Sequence, residues 1–473
     1  MKRIMSVLVA ALAIGLAATG AQAGFDYRSE TPAQKAERMR WFTDARFGMF
    51  IHFGLYAMPA RHEWVRNKEW ITNEEYERYF RKFDPDLFDA KDLARRAKAA
   101  GMKYAVLTTK HHEGFCLWDS AHTDYKSTRT PGGRDYVREF VDAFRAEGLH
   151  VGFYYSLLDW HHPDFTVDGE HPLRPKSAHL YKDMEGWSEE RFAETFGKLN
   201  RGRDMARYRQ YMRDQVRELL TNYGRIDILW YDFSYPDKRL GKGAKDWGSE
   251  ELLALTRELQ PQIIVNNRLD LLDKPWGWDF ITPEQMKVKD PIRINGVEVA
   301  WETCQTFSGS WGYYRDEMSW KNPAQLVELL AHSVSCGGNL IMNVGPTSRG
   351  DLDDRACAAL DVYAKWMRRN ARAIYGCTRA PDGFEAPYGT LLTYNPKTNR
   401  LYIHLADYPL KKLDLDFTDR IDYAQFLHDG SELRIVPPKK GHPSYGGMML
   451  SGGIEVPVMK PNVEIPVIEC FLK

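Results

Sequence analysis

Short apolar runs alternate with amphipathic helical patterns over most of the chain, from about residue 47 to residue 375. The runs are short enough to be buried strands, and the segments between them place apolar residues near i, i+3, i+4 and i+7, as helices do. Eight runs predict strands: Phe47–Phe53, Tyr104–Thr109, Val151–Ser156, Ile226–Tyr231, Ile263–Asn267, Phe280–Thr282, Val299–Glu302 and Leu340–Val344. The intervening patterns predict helices at Ala90–Ala100, Asp135–Glu147, Tyr208–Asn222, Glu250–Leu259, Pro323–Ser335 and Asp354–Asn370.

This alternation favours an α/β fold, because strands separated by helices pair in parallel through right-handed crossovers. Eight such units predict a (β/α)8-like barrel. Between Asn267 and Val299 the chain is rich in Pro, Gly, Lys and Trp and has no helical period, so one or two outer helices are expected to be missing. A doubly wound open sheet is the alternative. The polar segment Asp164–Arg203 is predicted to be a surface excursion from the third strand-to-helix connection.

The pattern changes after Tyr375. Residues 376–473 have frequent Pro and Gly and alternating segments such as Leu391–Tyr394 and Leu401–Leu405, without a convincing helix. We therefore predict a C-terminal all-β sandwich domain at 376–473, after a catalytic barrel that spans 24–375.

The first residues have the order of a secretory signal peptide. Lys2 and Arg3 precede an apolar run, which ends in small residues that include Ala21-Gln22-Ala23. The sequence predicts a signal peptide at 1–23, cleavage near Ala23 and export to the periplasm or the medium. An uncleaved membrane anchor is the alternative.

Charge and cysteine content narrow the classes of partner. Lys plus Arg and Asp plus Glu both number 65, and this balance argues against a nucleic-acid or membrane-surface partner. The six Cys include no C-x-x-C pair and several lie within apolar patterns, so free buried thiols are expected rather than a metal site.

Polar residues stand at the carboxyl end of every predicted strand, where the active sites of such barrels are built. They are His52, Lys110–Glu113, Tyr154-Tyr155, Trp230–Asp232, Asn266–Arg268, Thr282–Glu284, Trp301-Glu302 and Asn343. Residues with only a structural role would be scattered over both ends of the barrel, so the pattern predicts a functional site.

Three of these residues are carboxylates. Asp232 follows an apolar strand, where a carboxylate is costly unless it is paired or used. A retaining glycosidase needs two carboxyl groups about 5–5.5 Å apart, and Asp232 with Glu284 or Glu302 would supply them. Alternatively, Asp232 caps a helix or forms a structural ion pair. The glutamate that is not catalytic would then form an ion pair with Arg268 or hydrogen-bond a sugar hydroxyl.

His111-His112 admits a second interpretation. With His52 and Asp232 they could hold a metal ion, as in a metal-dependent barrel hydrolase, although adjacent residues of a strand point to opposite faces. Otherwise the histidines would hydrogen-bond sugar hydroxyls. A non-catalytic carbohydrate-binding barrel is a further alternative, although the carboxylates needed for catalysis are present. Glu63-Trp64 in the first long loop is either a sugar-binding pair or a surface ion pair beside a packed tryptophan.

Several motifs, in order along the chain, resemble those of glycoside hydrolase family 29, the α-L-fucosidases. They are Trp41–Tyr56, Leu107–Trp118, Gly152–Trp160, Ile228–Asp232, Trp301–Cys304, Ser310–Tyr313 and Gly338–Gly350. The resemblance covers about Trp41 to Gly376, which is nearly the whole predicted barrel.

This resemblance implies an exo-acting retaining α-L-fucosidase that removes terminal α-L-fucose by double displacement, without a cofactor or metal. The family's nucleophile falls on Asp232, and the acid/base falls on Glu284, with Glu302 as the alternative. The implied substrate-binding residues are His52, Glu63, Trp64, His111, His112, Tyr154, Trp230, Arg268 and Trp311. Trp311 matches an aromatic residue near the methyl group of the sugar, and Tyr155 is one residue from the position assigned to Tyr154. The implied partner is a fucosylated oligosaccharide or glycoconjugate.

Two positions depart from the family pattern. Phe53 replaces the Trp usual after the first histidine, and Phe233 replaces the Gly often found after the nucleophile. Phe53 should change the pocket little, whereas Phe233 is expected to narrow the region beyond the scissile bond. Phe233 therefore leaves the linkage preference open, whereas hydrolysis of α-L-galactosides would depend on the space near the wall that receives the methyl group.

Overall fold

The computed structural model describes residues 26–176, 184, 186–237, 241–440 and 449–473. The predicted signal peptide lies outside these ranges. Among the helices within them, none is both long enough and apolar enough to cross a membrane.

Seven parallel strands form a curled sheet. In chain order the strands of this part of the molecule are β1 Phe47–Ile51, β2 Tyr104–Lys110, β3 His150–Ser156, β4 Ile228–Asp232, β5 Ile264–Val265, β6 Arg293–Ile294, β7 Val297–Glu298, β8 Glu302–Thr306 and β9 Asn339–Val344. β6 and β7 are a separate antiparallel hairpin, and the sheet has the order β5-β4-β3-β2-β1-β9-β8.

Residues 280–284 join the two edges of this sheet. Phe280 makes a parallel bridge with Asn266 after β5, and Ile281 and Glu284 bridge Trp301 and Cys304 on the other side. The sixth predicted run therefore takes a strand's place through isolated bridges. The (β/α)8-like barrel is confirmed, and the doubly wound open sheet is wrong because residues 280–284 bridge both edges of the sheet and close it.

Helices surround the barrel except at one side. They are α1 Pro32–Ala45, α2 Val65–Lys68, α3 Asn73–Phe80, α4 Ala90–Ala99, α5 Tyr136–Ala146, α6 Glu189–Leu199, α7 Met205–Asn222, α8 Ala244–Trp247, α9 Ser249–Leu259, α10 Pro323–Ser335 and α11 Asp354–Asn370. The six predicted helices are confirmed. No helix occurs from 260 to 322, a stretch that the structure describes throughout, so the expected gap in the outer layer is also confirmed. Helix α6 lies in the predicted excursion after β3.

Local sequence explains where several helices begin. Thr31 and Asn322 cap α1 and α10 by accepting the backbone N–H of Gln34 and Gln325, whose side chains bind back to the cap residue. In both helices the next residue is Pro, whose fixed φ suits a first turn.

Strand alternation divides the core into two layers. Phe50, Tyr104, Tyr154, Trp230 and Ile341 point into the barrel, and their strand neighbours pack against the outer helices. Since side chains alternate across a strand, the same rule places Asp232 on the inner face with Trp230. Tyr155 points outward, where its hydroxyl donates to Gln215 Oε1 at 2.8 Å.

The predicted strand Val299–Glu302 is displaced in the structure. The strand β8 begins at Glu302 and runs to Thr306, so Glu302 lies at its amino end and not at the carboxyl end. The hydrophobic pattern did not reveal β8, because the residues of this strand are mostly polar although all of them are buried. Its side chains are hydrogen-bonded, as where Thr303 Oγ1 donates to the Met286 carbonyl at 3.0 Å.

The C-terminal region is an antiparallel β domain. Its strands are β10 Thr378–Arg379, β11 Thr390–Asn395, β12 Arg400–Leu405, β13 Lys412–Asp414, β14 Ile421–Phe426, β15 Ile435–Val436, β16 Lys439–Lys440, β17 Met449–Leu450, β18 Gly453–Glu455 and β19 Val467–Leu472. A five-stranded sheet, β10-β11-β12-β19-β14, packs its apolar side chains against those of β13-β18-β15, which makes the expected sandwich. All six Cys are unpaired, as expected.

Gly48 allows Tyr104 to lie inside the barrel, because a Cβ atom at residue 48 would stand 2.3 Å from the tyrosine ring. Gly48→Ala is expected to lower the thermal unfolding midpoint by about 1–4 °C, since overpacking a core costs about 1–3 kcal/mol. Gly197→Ala in α6 is the control, because a Cβ there meets no atom within 4 Å and Ala favours a helix. Equal midpoints for wild type and Gly48→Ala would contradict the packing argument.

Candidate active site

A pocket of about 550 Å³ opens at the carboxyl end of the barrel strands. Its lining contains every predicted site residue except Glu302, namely His52, Glu63, Trp64, His111, His112, Tyr154, Trp230, Asp232, Arg268, Glu284 and Trp311. Residues separated by more than 200 positions in sequence are thereby brought to one cavity by the barrel topology.

Asp232 is the last residue of β4 and is only 8% exposed. Each of its carboxylate oxygens has a donor: Tyr154 Oη donates to Oδ2 at 2.7 Å and Arg268 Nη1 donates to Oδ1 at 2.8 Å. Burial, followed by the charge of Asp232, raises the pKa of Tyr154 well above its usual value, so the phenol keeps its proton and remains a donor. The buried carboxylate is thus oriented by a neutral donor and a cation.

Arg268 joins two carboxylates. Its Nη2 donates to Glu284 Oε2 at 2.8 Å, while Nη1 binds Asp232, and the guanidinium carbon lies 4.6 Å from the centre of the Trp230 ring. Burial alone would lower the pKa of Arg268, but the charges of Asp232 and Glu284 outweigh it and raise that pKa. Arg268 is therefore a permanent cation between the two acids.

Glu284 and Asp232 have different surroundings. The Glu284 side chain is 44% exposed at the rim of the pocket, against 11% for the side chain of Asp232. Glu284 reaches this position because its segment bridges β8 at Cys304. The pocket thus holds one enclosed carboxylate and one in contact with solvent.

The three histidines are neutral. Burial lowers the pKa of His52 to about 3 and those of His111 and His112 well below the usual value. His52 Nδ1 lies 2.6 Å from Asn343 Oδ1, and because the amide of Asn343 donates to the Trp311 carbonyl, the ring nitrogen is assigned as the donor. The Nε2 atom of His52 is left as an acceptor.

His112 is held in the same way. Its Nδ1 lies 2.7 Å from Ser156 Oγ, and the serine hydroxyl donates to the Leu158 carbonyl, so Nδ1 carries the proton. His112 Nε2 is 3.9 Å from Asp232 Oδ2. His111 Nδ1 is buried without a hydrogen-bond partner. These nitrogens can bind hydroxyl groups of a ligand.

Glu63 is enclosed and is not part of a surface ion pair. Its Oε2 accepts the backbone N–H groups of Trp311 and Gly312 at 3.2 and 2.9 Å, and its Oε1 has no hydrogen-bond donor. Burial raises the pKa of Glu63 to about 7. The residue ties the loop after β1 to the loop that carries Trp311.

Aromatic rings form the walls. The Trp311 ring centre lies 5.2 Å from that of His52, and Tyr154 stacks on Trp230 with centres 5.7 Å apart. Trp64 meets His112 edge to face at 5.2 Å. A sugar with apolar C–H surfaces fits such walls.

Glu302, predicted as the alternative acid/base at a strand end, is in a different place. It is completely buried inside the barrel, where it accepts the hydroxyl of Tyr104, and it does not line the pocket. Burial raises its pKa to about 8. Glu302 lies inside the barrel and not at its mouth because β8 begins at this residue.

Several lining residues were missed by the sequence analysis, namely Phe50, His62, Lys68, Gln285, Cys304, Ser308 and Gly309. Most lie on loops whose course the sequence pattern does not show. Cys304 could have been found by alternation from Glu302 if the bounds of β8 had been known. Within the described ranges, no three His, Cys, Asp or Glu side chains converge in an arrangement suited to a metal ion.

The family model of the α-L-fucosidases matches residues 15–372. The chain belongs to the α-L-fucosidase family. Rat plasma α-L-fucosidase is 31% identical over 364 residues, which are 71% of this chain and 70% of the rat protein. The α-L-fucosidase of Dictyostelium discoideum is 28% identical over 370 residues, 71% of each chain.

Solved structures of α-L-fucosidases share the fold over almost the whole chain. Isoenzyme 1 of Paenibacillus thiaminolyticus has a TM-score of 0.80 and 40% identity, covering 93% of this chain and 99% of its own. A family 29 α-L-fucosidase of Bacteroides thetaiotaomicron, trapped as a covalent intermediate with 2-fluoro-fucosyl fluoride, has a TM-score of 0.75 and 28% identity, covering 92% and 96%. The expected family and glycosidase class are confirmed.

The buried carboxyl of Glu302 generates a prediction for stability. Its pKa of about 8 in the fold exceeds the value of about 4.3 in an unfolded chain, so the folded state binds more protons between these values. The stabilisation is complete below about pH 4.3 and is lost as the pH rises through about 8. Glu302→Gln cannot ionise, and between pH 6 and 9 it should lose about 3 kcal/mol less stability than the wild type.

Thermal unfolding midpoints measured across this pH range would check the difference. Glu258→Gln, at an exposed position of α9, is the matched control and should follow the wild type. Parallel curves for wild type and Glu302→Gln would contradict the prediction, because they would mean that the pKa of Glu302 in the fold is not raised into this pH range.

Proposed function

We propose that the chain is an exo-acting retaining α-L-fucosidase that removes terminal α-L-fucose from oligosaccharides or glycoconjugates. The observation that carries the proposal is the pair of carboxylates, Asp232 and Glu284, held on one guanidinium in a pocket that is entered from one end of the barrel. Such a pocket suits the last sugar of a glycan. The covalent intermediate trapped in the Bacteroides thetaiotaomicron relative supports a double displacement.

In the first displacement Asp232 is the nucleophile. One of its oxygens bonds to the anomeric carbon while the glycosidic bond breaks, and the electron pair of that bond passes to the leaving oxygen. Glu284 gives its proton to this oxygen, which its position at the solvent-exposed rim favours. Tyr154 and Arg268 fix the direction of the Asp232 oxygens.

In the second displacement a water molecule attacks the anomeric carbon of the fucosyl-enzyme. Glu284, now ionised, removes a proton from the water and thereby recovers its own, and the bond between Asp232 and the sugar breaks. Exposure of Glu284 gives this water a path from solvent. Arg268 compensates the carboxylate charge that passes from one acid to the other.

The remaining pocket residues would hold the sugar. His52 and His112 each offer Nε2 as an acceptor for a hydroxyl, His111 adds an unpartnered nitrogen, and Trp311 supplies an apolar wall for the methyl group. Glu63 fixes the Trp311 loop through its Oε2, and its Oε1 lies 3.1 Å from His62 Nδ1. The proposed reaction has no step that requires a metal or cofactor.

Removal of either carboxylate should have a distinct kinetic result on an aryl α-L-fucoside. Asp232→Ala should lower kcat by about four orders of magnitude or more, as loss of a nucleophile does. Glu284→Gln should lower it by about 10²–10⁴-fold, less for a good leaving group, and azide should restore turnover of the Glu284→Ala variant by replacing water without a base.

Glu302→Gln serves as the control and should keep the wild-type kcat on the aryl α-L-fucoside. Azide rescue of Glu302→Ala but not of Glu284→Ala would assign the acid/base to Glu302 instead. Loss of wild-type turnover with a chelator, restored by added metal, would favour the metal-dependent alternative.

We also propose that the protein is exported after removal of residues 1–23. The basic start, the apolar run and Ala21-Gln22-Ala23 support this. Amino-terminal sequencing of protein recovered from the periplasm or medium should begin at Gly24, and a chain that retains Met1 there would contradict the proposal.

A further inference from the structure

Each carboxylate of the pocket lies beside a residue in the left-handed backbone region. Phe233 follows Asp232 with φ 74°, Gln285 follows Glu284 with φ 54°, and His62 precedes Glu63 with φ 89°. Non-glycine residues rarely adopt this region, and a bulky residue is unfavourable there. Phe233 has the largest of the three side chains, at a position that glycine would occupy without strain. We therefore ask what its ring contacts in the pocket.

The Phe233 ring belongs to an aromatic rim of the pocket. Its centre lies 5.1 Å from the Trp64 ring, 5.0 Å from the His112 ring and 5.0 Å from the Tyr235 ring. Phe233 lines the cavity and is only half-buried, so part of its surface is open to a ligand. We call Trp64 and Phe233 the aromatic rim.

Glu284 belongs to another part of the opening. With Gln285, Ser308 and Gly309 it lines the same cavity, and its side chain is 44% exposed. The inner end of the cavity is closed by the stacked rings of Tyr154 and Trp230. A group attached to a sugar in the cavity must therefore leave through the opening that the aromatic rim and Glu284 border.

We propose that the aromatic rim, through Phe233, forms a leaving-group subsite for a ring with an apolar face, such as the second sugar of a fucosylated glycan. This inference rests on the proposed function, since Glu284 must reach the oxygen between the two rings. The C–H face of a pyranose packs favourably on an aromatic ring. Neither rim residue is charged, so the contact selects the shape and apolar face of the leaving group.

Phe233→Gly tests the subsite without disturbing the backbone, because glycine adopts φ near 74° freely. Two probes are compared: an α-L-fucosyl disaccharide whose second ring is galactose, and α-L-fucosyl fluoride, whose leaving group is one atom. The variant should lower kcat/KM for the disaccharide by about 5–10-fold, which corresponds to the loss of one ring contact, and change it less than about two-fold for the fluoride. Phe233→Tyr keeps the ring and should retain wild-type values for both.

Lys411→Gly is the matched control, because Lys411 also has a left-handed φ, 63°, but is exposed in the C-terminal domain. It should leave both substrates unaffected. Equal losses of Phe233→Gly on both probes, with an unchanged thermal midpoint, would place the ring against the fucose and overturn the subsite, as would no loss on either probe. A wild-type protein that cleaves neither probe would instead refute the proposed function.

Discussion

The pocket depends on the ion pairs that the guanidinium of Arg268 makes with two carboxylates. The guanidinium is a half-buried cation that binds Asp232 with one nitrogen and Glu284 with another, and it lies over the face of Trp230. Loss of Asp232 would leave the guanidinium without its enclosed partner, whereas water can solvate the more exposed Glu284 in place of Arg268. The stacking of Tyr154 on Trp230 and the bond from Arg268 Nε to Thr282 Oγ1 at 3.0 Å keep the cation in place. The chemistry and the local stability of the pocket therefore rest on the same contacts.

The side of the barrel beside this site lacks two outer helices. A second buried charge network stabilises it: Asp279 accepts Arg38 of α1 at 2.7 Å and Arg257 of α9 at 2.5 Å, and its Oδ2 also accepts the Val265 N–H at 2.8 Å. Burial alone would raise the pKa of Asp279, but the two arginines outweigh it and lower that pKa well below its usual range. The segment that leads to Glu284 is thereby fixed at its base, and the exposed part that carries the carboxyl keeps access to solvent.

Much of the fold and most of the pocket could be predicted from the sequence, for reasons seen in particular residues. Capping residues such as Asn322 mark helix starts through local hydrogen bonds. The inner face of β3 follows from alternation once Tyr154 is assigned inward. Asp232 was identifiable because an acid ends a strand that is otherwise apolar. The prediction was wrong for Glu302, because the buried polar strand Glu302–Thr306 has no hydrophobic pattern, and its hydrogen-bond partners are remote in sequence.

The sequence by itself determined the order of strands and helices, the sandwich domain, the family and most of the residues at the mouth of the barrel. These follow from local periodicity and from motifs that are contiguous along the chain. Only the tertiary structure decided which of Glu284 and Glu302 faces the cavity, that Glu63 fastens the Trp311 loop, and that Phe233 stands in a left-handed turn beside Trp64. Each of these facts depends on contacts between distant segments, and their register is set by packing around the closed barrel.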